Sequence, residues 1–376
     1  MKTKMLHLAL MTVAMVMAMA IPNTLWAQEV AAEDGELKKI GGVKSLEQRI
    51  QELEEAVERK VEGDKWYDRI QISGLVEVNA WYQSIDFDDP AEEDEKTSDV
   101  DLATVELVVD AKIAAHVDGH VLFKYEEDDV FVDEGFITLV GTEAFPAYLI
   151  AGRQYLPFGV YDSFFVTDPN TLVLGETNDG AIVAGYRFGE GMIDLSLGAY
   201  NGDVDEAGED NQIDSFVARV YAQPVSFLTV SASYTSNLAS SNGLSEFVAD
   251  PVQDMVGGWS AEVTFEWSIA RVIGEYVGAL DEFEVGEVYE SDTQARKPSA
   301  WNVEAGVAPM DGLELAIRYG GADDGGAEFL PETQYGVVVN WGIFEKTNLA
   351  VEYMHDEFED DFQEVEMVTA QLAVEF

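Results

Sequence analysis

The chain contains no cysteine, which excludes disulfides and thiolate metal sites. It is short of positive charge. Twenty-one lysines and arginines stand against 73 acidic residues, for a formal charge of −52. A surface of that sign repels phosphates, so nucleic acid is excluded as a partner. After the first 27 residues no run of about 18 consecutive apolar residues occurs, which excludes a helical membrane bundle. Histidine is also scarce: His7, His116, His120 and His355 are the whole set. The G-x-S-x-G, Gly-rich phosphate-loop and H-E-x-x-H patterns are missing. His116-x-x-x-His120 has the spacing of helical metal ligands, but it lies in a strand–turn–strand context and reads as structural. With so few bases to pair with a nucleophile, a membrane-embedded hydrolase is disfavoured, and no catalytic residue, metal site or cofactor is expected.

Acidity on this scale usually signals disorder. Here it comes with 11 % aromatic residues and 32 glycines, the mixture of a β protein with exposed loops. The chain opens as an export signal over 1–27. Lys2 and Lys4 form a basic start, an apolar stretch runs from Met5 to Ile21, and a small-residue site ends at Ala27. Residues 28–42 read as a flexible lead-in. Val43, Leu46, Ile50, Leu53, Val57 and Val61 then recur at steps of three and four, behind a capping box of Ser45 and Gln48. This spacing predicts a periplasmic coiled-coil helix over 43–62. At under three heptads it is marginal alone, so it is expected to associate with copies of itself, as a homotrimer.

From Trp66 onward the period becomes two. Val105, Leu107 and Val109 alternate with Glu106 and Asp110, and Val263, Phe265 and Trp267 alternate with Glu262, Thr264 and Glu266. About sixteen such segments of roughly ten residues follow, the length at which a tilted strand crosses a bilayer. They begin near 70, 101, 117, 130, 147, 180, 191, 212, 226, 257, 270, 299, 312, 333, 346 and 366. Short turns are expected at Asp118-Gly119, Gly189-Glu190-Gly191, Gln223-Pro224, Trp267-Ser268, Met310-Asp311-Gly312 and Phe344-Glu345. Longer connections are expected at 84–99, 156–178, 201–211, 239–255, 281–297, 320–332 and 355–365. Short turns on one side and long loops on the other predict an all-β fold over 66–376: a transmembrane antiparallel β-barrel of about 16 strands. The final strand alternates Val368, Ala370, Leu372, Val374 and Phe376 against polar residues, the pattern that barrel-assembly machinery reads. Trp259, Trp267 and Trp341 are placed near short turns and Tyr82, Tyr125 and Tyr200 near the opposite strand ends, as two interfacial girdles. The location implied is the outer membrane of a Gram-negative bacterium, with lipid and lipopolysaccharide as partners. The acidic runs at 92–95 and 357–361 lack the ligand spacing of an EF-hand and read as solvated loops.

A barrel of that size encloses water, and something must narrow it. The segment 156–178 is less acidic than the other long connections and carries Phe158, Tyr161, Phe164, Phe165, Leu172 and Leu174. Solvated loops are seldom so apolar, so this one is expected to fold into the barrel. Arg153, Asp162, Asp168, Asn170, Glu176 and Asp179 are then the candidates for the pore constriction. The stretch Gly152-Arg153-Gln154-Tyr155-Leu156-Pro157-Phe158-Gly159-Val160, followed by Asp168-Pro169-Asn170-Thr171-Leu172-Val173-Leu174-Gly175-Glu176-Thr177, resembles the LbtU family of siderophore porins. The likeness in motif is confined to 151–185; the likeness in layout extends over the mature chain. It implies a small solute, a ferric siderophore, crossing by diffusion. The sequence departs from such a role in its acidity, which would repel an anionic ferric chelate. Two alternatives therefore stand beside it: a general or cation-preferring porin, and a structural barrel that tethers the envelope without transport.

Overall fold

A computed structural model describes residues 66–87, 93–126, 129–289, 293–326, 329–359 and 363–376. The expected signal over 1–27, lead-in over 28–42 and helix over 43–62 lie outside the described residues, as do parts of the two acidic runs. Trp66–Arg69 form a single 3-10 turn. Sixteen strands follow: β1 (Ile70–Phe87), β2 (Glu95–Ala114), β3 (Val117–Glu126), β4 (Asp129–Thr142), β5 (Phe145–Tyr155), β6 (Asn178–Phe188), β7 (Ile193–Tyr200) and β8 (Ser215–Val225). The second half holds β9 (Leu228–Thr235), β10 (Gly258–Trp267), β11 (Ala270–Ala279), β12 (Ser299–Met310), β13 (Leu313–Asp323), β14 (Thr333–Phe344), β15 (Thr347–Glu357) and β16 (Gln363–Glu375).

Each strand pairs with its sequence neighbours and β1 pairs with β16, so the sheet is a closed antiparallel barrel. Closure runs from Leu75↔Glu375 to Phe87↔Gln363. It is completed where the Phe376 N–H donates to the Gly74 carbonyl at 3.0 Å. No backbone group of a closed wall is left for lipid to strand, which makes this architecture compatible with a bilayer. The two-residue rhythm sets the two faces. On β12, Ala300, Asn302 and Glu304 are buried inward while Val303 and Val307 are exposed outward. Ile182, Leu197 and Ile317 carry the same apolar outer face around the wall. Among the described residues no helix is long and apolar enough to cross a membrane.

Two-residue turns join the strands on one side, at 115–116, 143–144, 226–227, 268–269, 311–312 and 345–346, with a 3-10 turn at Gly189–Gly191. Two expected turns are displaced. Gly119 lies inside β3, opposite Ala111 and Ile137. Pro224 lies inside β8, where an irregularity between Ala222 and Val225 accommodates its missing N–H. The expected loop at 84–99 is mostly strand, because β1 and β2 run 18 and 20 residues and leave only 88–94 between them.

The girdles also differ in detail from the expectation. Trp267 and Trp341 sit toward the short turns, but Trp259 opens β10 at the long-loop end and packs on Tyr276, ring centres 4.7 Å apart. Trp301 on Tyr319, at 5.1 Å, continues that belt. Tyr200 does not belong to a girdle. Its side chain is fully buried inward, and its hydroxyl meets Thr235 Oγ1 at 2.6 Å.

The long connections 201–214, 236–257, 280–298 and 324–332 lock together above β7–β14. Isolated bridges join Glu206 to Val252, Val248 to Val288 and Phe283 to Arg296. Val204, Leu238, Leu244, Val252, Phe283 and Leu330 form their common core, an apolar cap over that part of the mouth.

Candidate pore constriction

The connection between β5 and β6 enters the barrel. Its neck is closed by the Leu156 N–H donating to the Thr177 carbonyl at 2.8 Å. Gly159 turns the chain at φ +78°, where a Cβ would strike the Tyr161 ring. Phe158 and Leu174 are buried in one inner cluster, Phe164 in a second with Ile273, Ala316 and Val338. Burying each such side chain contributes about 1.5–3 kcal/mol. A six-residue helix, α1 (Asn170–Gly175), leads the chain back. It lies against a one-turn helix, α2 (Asn242–Ser245), whose Gly243 approaches the Val173 carbonyl so closely that a Cβ would sit at 2.3 Å.

Apolar contacts alone would leave the loop's peptide groups unpaired in the lumen. Glutamates of the wall satisfy them. Glu262 on β10 accepts from the Val160 N–H at 3.0 Å. Glu304 on β12 accepts from the Phe164 N–H at 2.8 Å and from the Ser163 hydroxyl at 2.9 Å. Glu352 on β15 accepts from the Val166 N–H at 2.7 Å and from the Thr167 N–H and hydroxyl. Glu275 on β11 accepts from the Thr171 hydroxyl at 2.6 Å. Arg318 on β13 completes the seat. It pairs with Glu304 at 2.9 Å with both side chains fully buried, donates to the Thr167 carbonyl at 2.8 Å, and stacks over the Phe165 ring at 4.4 Å. A buried pair of this kind is strongly disrupted when one partner is removed, at a cost of about 3–5 kcal/mol. The loop thus spans the lumen from its root at β5 to β15.

Asp168 stands at the end of that span. It is exposed, yet Arg318 on β13 and Lys124 and Glu126 on β3 all act on its charge. Glu77 on β1 also feels it. An accessible carboxylate within reach of opposite walls is one that stands in the open part of the lumen. Partial loss of water there raises the Asp168 pKa, while Arg318 and Lys124 oppose the rise. Glu176 shares this space. Burial first and Asp168 second push its pKa up to about 7, with Lys124 opposing. On the facing wall Glu77, Glu106, Glu126 and Asp133 surround Lys124, which is tied to Glu126 at 3.1 Å. The gap between loop and wall is therefore predominantly acidic.

Of the six residues expected to form the constriction, the structure brings Asp168 and Glu176 together. Asp162 is exposed on the loop and pairs with Arg271 at 2.5 Å. Asn170 is buried and donates to the Pro331 carbonyl at 3.0 Å, anchoring α1 to the 324–332 connection. Asp179 accepts from the Gly202 N–H at 2.9 Å and so holds the 201–214 connection. Arg153 is exposed on β5, opposite Gly135 and Gly180, and the next residue, Gln154, turns inward and is buried. Glu77, Glu106, Lys124 and Arg318 were not among those six. Each is a single charge in the polar row of an alternating strand, which is the sequence signal they carry. His120, next to the expected His116 pair, sits between Asp110 at 2.8 Å and Glu134 at 3.3 Å, while His116 bonds the Val140 carbonyl at 2.9 Å. Among the described residues no cluster of His, Asp and Glu suits a metal ion.

No family model matches the chain. It is similar to a UPF0422 protein of Coxiella burnetii, at 30 % identity over 257 residues covering 64 % of this chain and 55 % of that protein. It is also similar to a UPF0422 protein of Legionella pneumophila strain Lens, at 25 % identity over 326 residues covering 76 % and 59 %. The chain therefore spans a little over half the length of the curated relatives it matches. Among solved structures, the barrel resembles the outer membrane channel DcaP of Acinetobacter baumannii, with TM-score 0.57 and 15 % identity over 82 % of this chain and 97 % of that one. It resembles the anion-selective porin from Comamonas acidovorans with TM-score 0.58 and 12 % identity over 82 % and 99 %. OmpT of Vibrio cholerae in a trimer form follows at 0.51 and 14 % over 82 % and 99 %. At these identities the likeness establishes the barrel fold.

Proposed function

We propose that this chain is an outer-membrane diffusion channel of the porin type, and that its constriction favours cations. The observation that carries the reading is Asp168, exposed on a loop pinned across the lumen and electrically coupled to both walls. With Glu176 beside it and Glu77 and Glu126 across the gap, the field there draws cations in and weakens anion passage. The apolar outer face and the aromatic belts fit a lipid bilayer. Sixteen strands leave no lumen wide enough for a separate plug domain of the kind larger barrels hold, so passage is by diffusion. The fold does not dictate ionic preference: one neighbour is titled an anion-selective porin, and preference follows from the side chains at the gap.

Planar-bilayer recording under a potassium chloride gradient tests this. The wild type is expected to pass potassium over chloride, and Asp168→Asn to lower the permeability ratio several-fold without closing the channel. An anion-preferring current, or no current, defeats the reading. The tethering alternative predicts no solute flux in liposome swelling. Passage of a ferric siderophore rests on the residue resemblance over 151–185, and the acidic gap suits a cationic or neutral chelate better than an anionic one. Growth on defined ferric chelates with and without the protein decides it. Trimeric assembly is supported by the trimer form among the neighbours and by the heptad spacing at 43–61. A monomeric mass for the full chain in mild detergent would remove it.

A further inference from the structure

One positive charge stands among the carboxylates of the gap. Lys124 on β3 lies directly opposite Glu106 in the β2–β3 ladder, where facing residues of an antiparallel pair have Cβ atoms about 4.5–5.5 Å apart. Glu126, two residues further along the same face of β3, holds the Lys124 ammonium at 3.1 Å. Glu77 on β1 and Asp133 on β4 lie within its field. So do Asp168 and Glu176 of the loop across the gap. Arg318 also acts on Asp168, but its side chain is fully buried against Glu304. Lys124 keeps 18 % of its side chain exposed. Of these two cations it is the one that a solute in the gap meets.

The other ion pairs of the lumen show what a structural one does here. Arg187 on β6 reaches Asp194 on β7, Arg271 on β11 reaches Asp162 on the loop, and Arg318 on β13 reaches Glu304 on β12. Each ties two elements together. The Lys124–Glu126 pair lies within β3 alone and ties none, and a partly exposed pair contributes only about 0–1 kcal/mol. What Lys124 changes is the charge of the gap. A given potential acts on a divalent cation with twice the energy it exerts on a monovalent one, so a purely acidic gap concentrates divalent ions far more steeply. Conduction also requires that an ion bind weakly enough to leave. A lysine anchored in the wall offsets the carboxylates and cannot itself plug the path. The geometry points to Lys124 as a specificity-determining residue, a tethered counter-ion that lets monovalent cations pass and keeps divalent ones from lodging in the gap. Among the described residues no cluster suits a metal ion, so the discrimination comes from the field and not from a chelate. This deepens the cation-channel reading and rests on it.

Single-channel recording of the full chain in potassium chloride, with magnesium chloride added at millimolar concentration, tests the role. The wild-type current is expected to fall little. Lys124→Met, which keeps the stem and removes the charge, is expected to be blocked at several-fold lower magnesium. Lys124→Gln gives the same readout should the methionine variant fail to fold. Lys124→Arg is expected to behave as the wild type. Adding Glu106→Gln to Lys124→Met restores the net charge of the gap and is expected to relieve the block, a rescue that a packing role for the lysine would not give. Equal magnesium block in the wild type and the neutral variants overturns the inference, and so does a block in Lys124→Arg as strong as in Lys124→Met. A wild type that conducts and prefers cations, with no such difference, loses this inference alone. A wild type that passes no current defeats the channel reading and takes this inference with it.

Discussion

Glu176 holds the clearest consequence for a single side chain. It is half-buried at the foot of the loop, with Asp168, Asp133 and Glu126 raising its pKa to about 7 after desolvation and Lys124 opposing them. The sign follows from where the proton sits. A carboxyl near 4.5 in the unfolded chain and near 7 in the seated loop favours seating while protonated. That contribution is complete below about pH 4.5 and is lost as pH rises through about 7. The same ionisation adds a negative charge beside Asp168. Cation preference, read as reversal potential between pH 5 and 8.5, is therefore expected to step upward near pH 7, and protease cleavage within 156–177 to rise over the same range. Glu176→Gln should remove the step and leave the plateau found at acid pH. A flat wild-type profile would mean that Glu176 stays out of the conducting path. The sequence placed Asp168 and Glu176 in one segment, and that much was legible. Asp179, Asn170 and Arg153 were equally plausible by type, and only the bonds to the Gly202 N–H and the Pro331 carbonyl, and the outward register of Arg153, separate them from the gap.

As an element, the loop was legible through its apolar content and its seat was not. Phe158, Phe164 and Leu174 are buried inside the barrel as their hydrophobicity requires. The glutamates that hold the backbone come from strands 102 to 186 residues further along the chain. In the sequence, Glu262, Glu275, Glu304 and Glu352 look like any polar residue alternating with apolar ones, because alternation reports which face a residue takes and not what it meets there. The same limit applies to Gly306, which reads as an ordinary strand glycine. A Cβ at that position would lie 2.5 Å from the Phe164 ring, and Phe164 is the residue fixed by Glu304 and by Asn340. Gly306→Val should expel the ring and loosen the middle of the loop, at about 1–3 kcal/mol for overpacking. The expected result is a larger single-channel conductance and faster cleavage of 156–177, with the barrel's heat-modifiable electrophoretic shift retained. Wild-type conductance in this variant would mean that the loop holds its place without Phe164.

On the scale of the whole molecule, strand number and order were readable because lipid on one face and water on the other impose a period of two on every strand, and because a closed wall admits only neighbour pairing. The limits of the strands were less readable. Glycine and proline ordinarily mark turns, but Gly119 and Pro224 fall within β3 and β8. Residues 84–87, still paired with β16, and the polar 95–99 prolong β1 and β2 through most of what reads as a loop. Net charge belongs to this scale as well. A formal −52 spread over loops and lumen attracts cations from two places that salt can distinguish. Charges on solvated connections are screened within about 10 Å at 0.1 M salt and about 3 Å at 1 M. Charges in a narrow protein-walled gap are screened less, because few ions fit beside them. If Asp168 and its neighbours set the preference, raising both chambers from 0.1 M to 1 M potassium chloride at a constant tenfold gradient should reduce the cation preference only in part, and Asp168→Asn should remove most of what persists at 1 M. If the outer connections set it, the preference should vanish by 1 M in the wild type, and Asp168→Asn should change little at either concentration. The first outcome is expected, since the loop's hydrogen bonds to four wall glutamates fix Asp168 in the gap while the outer connections face bulk solution.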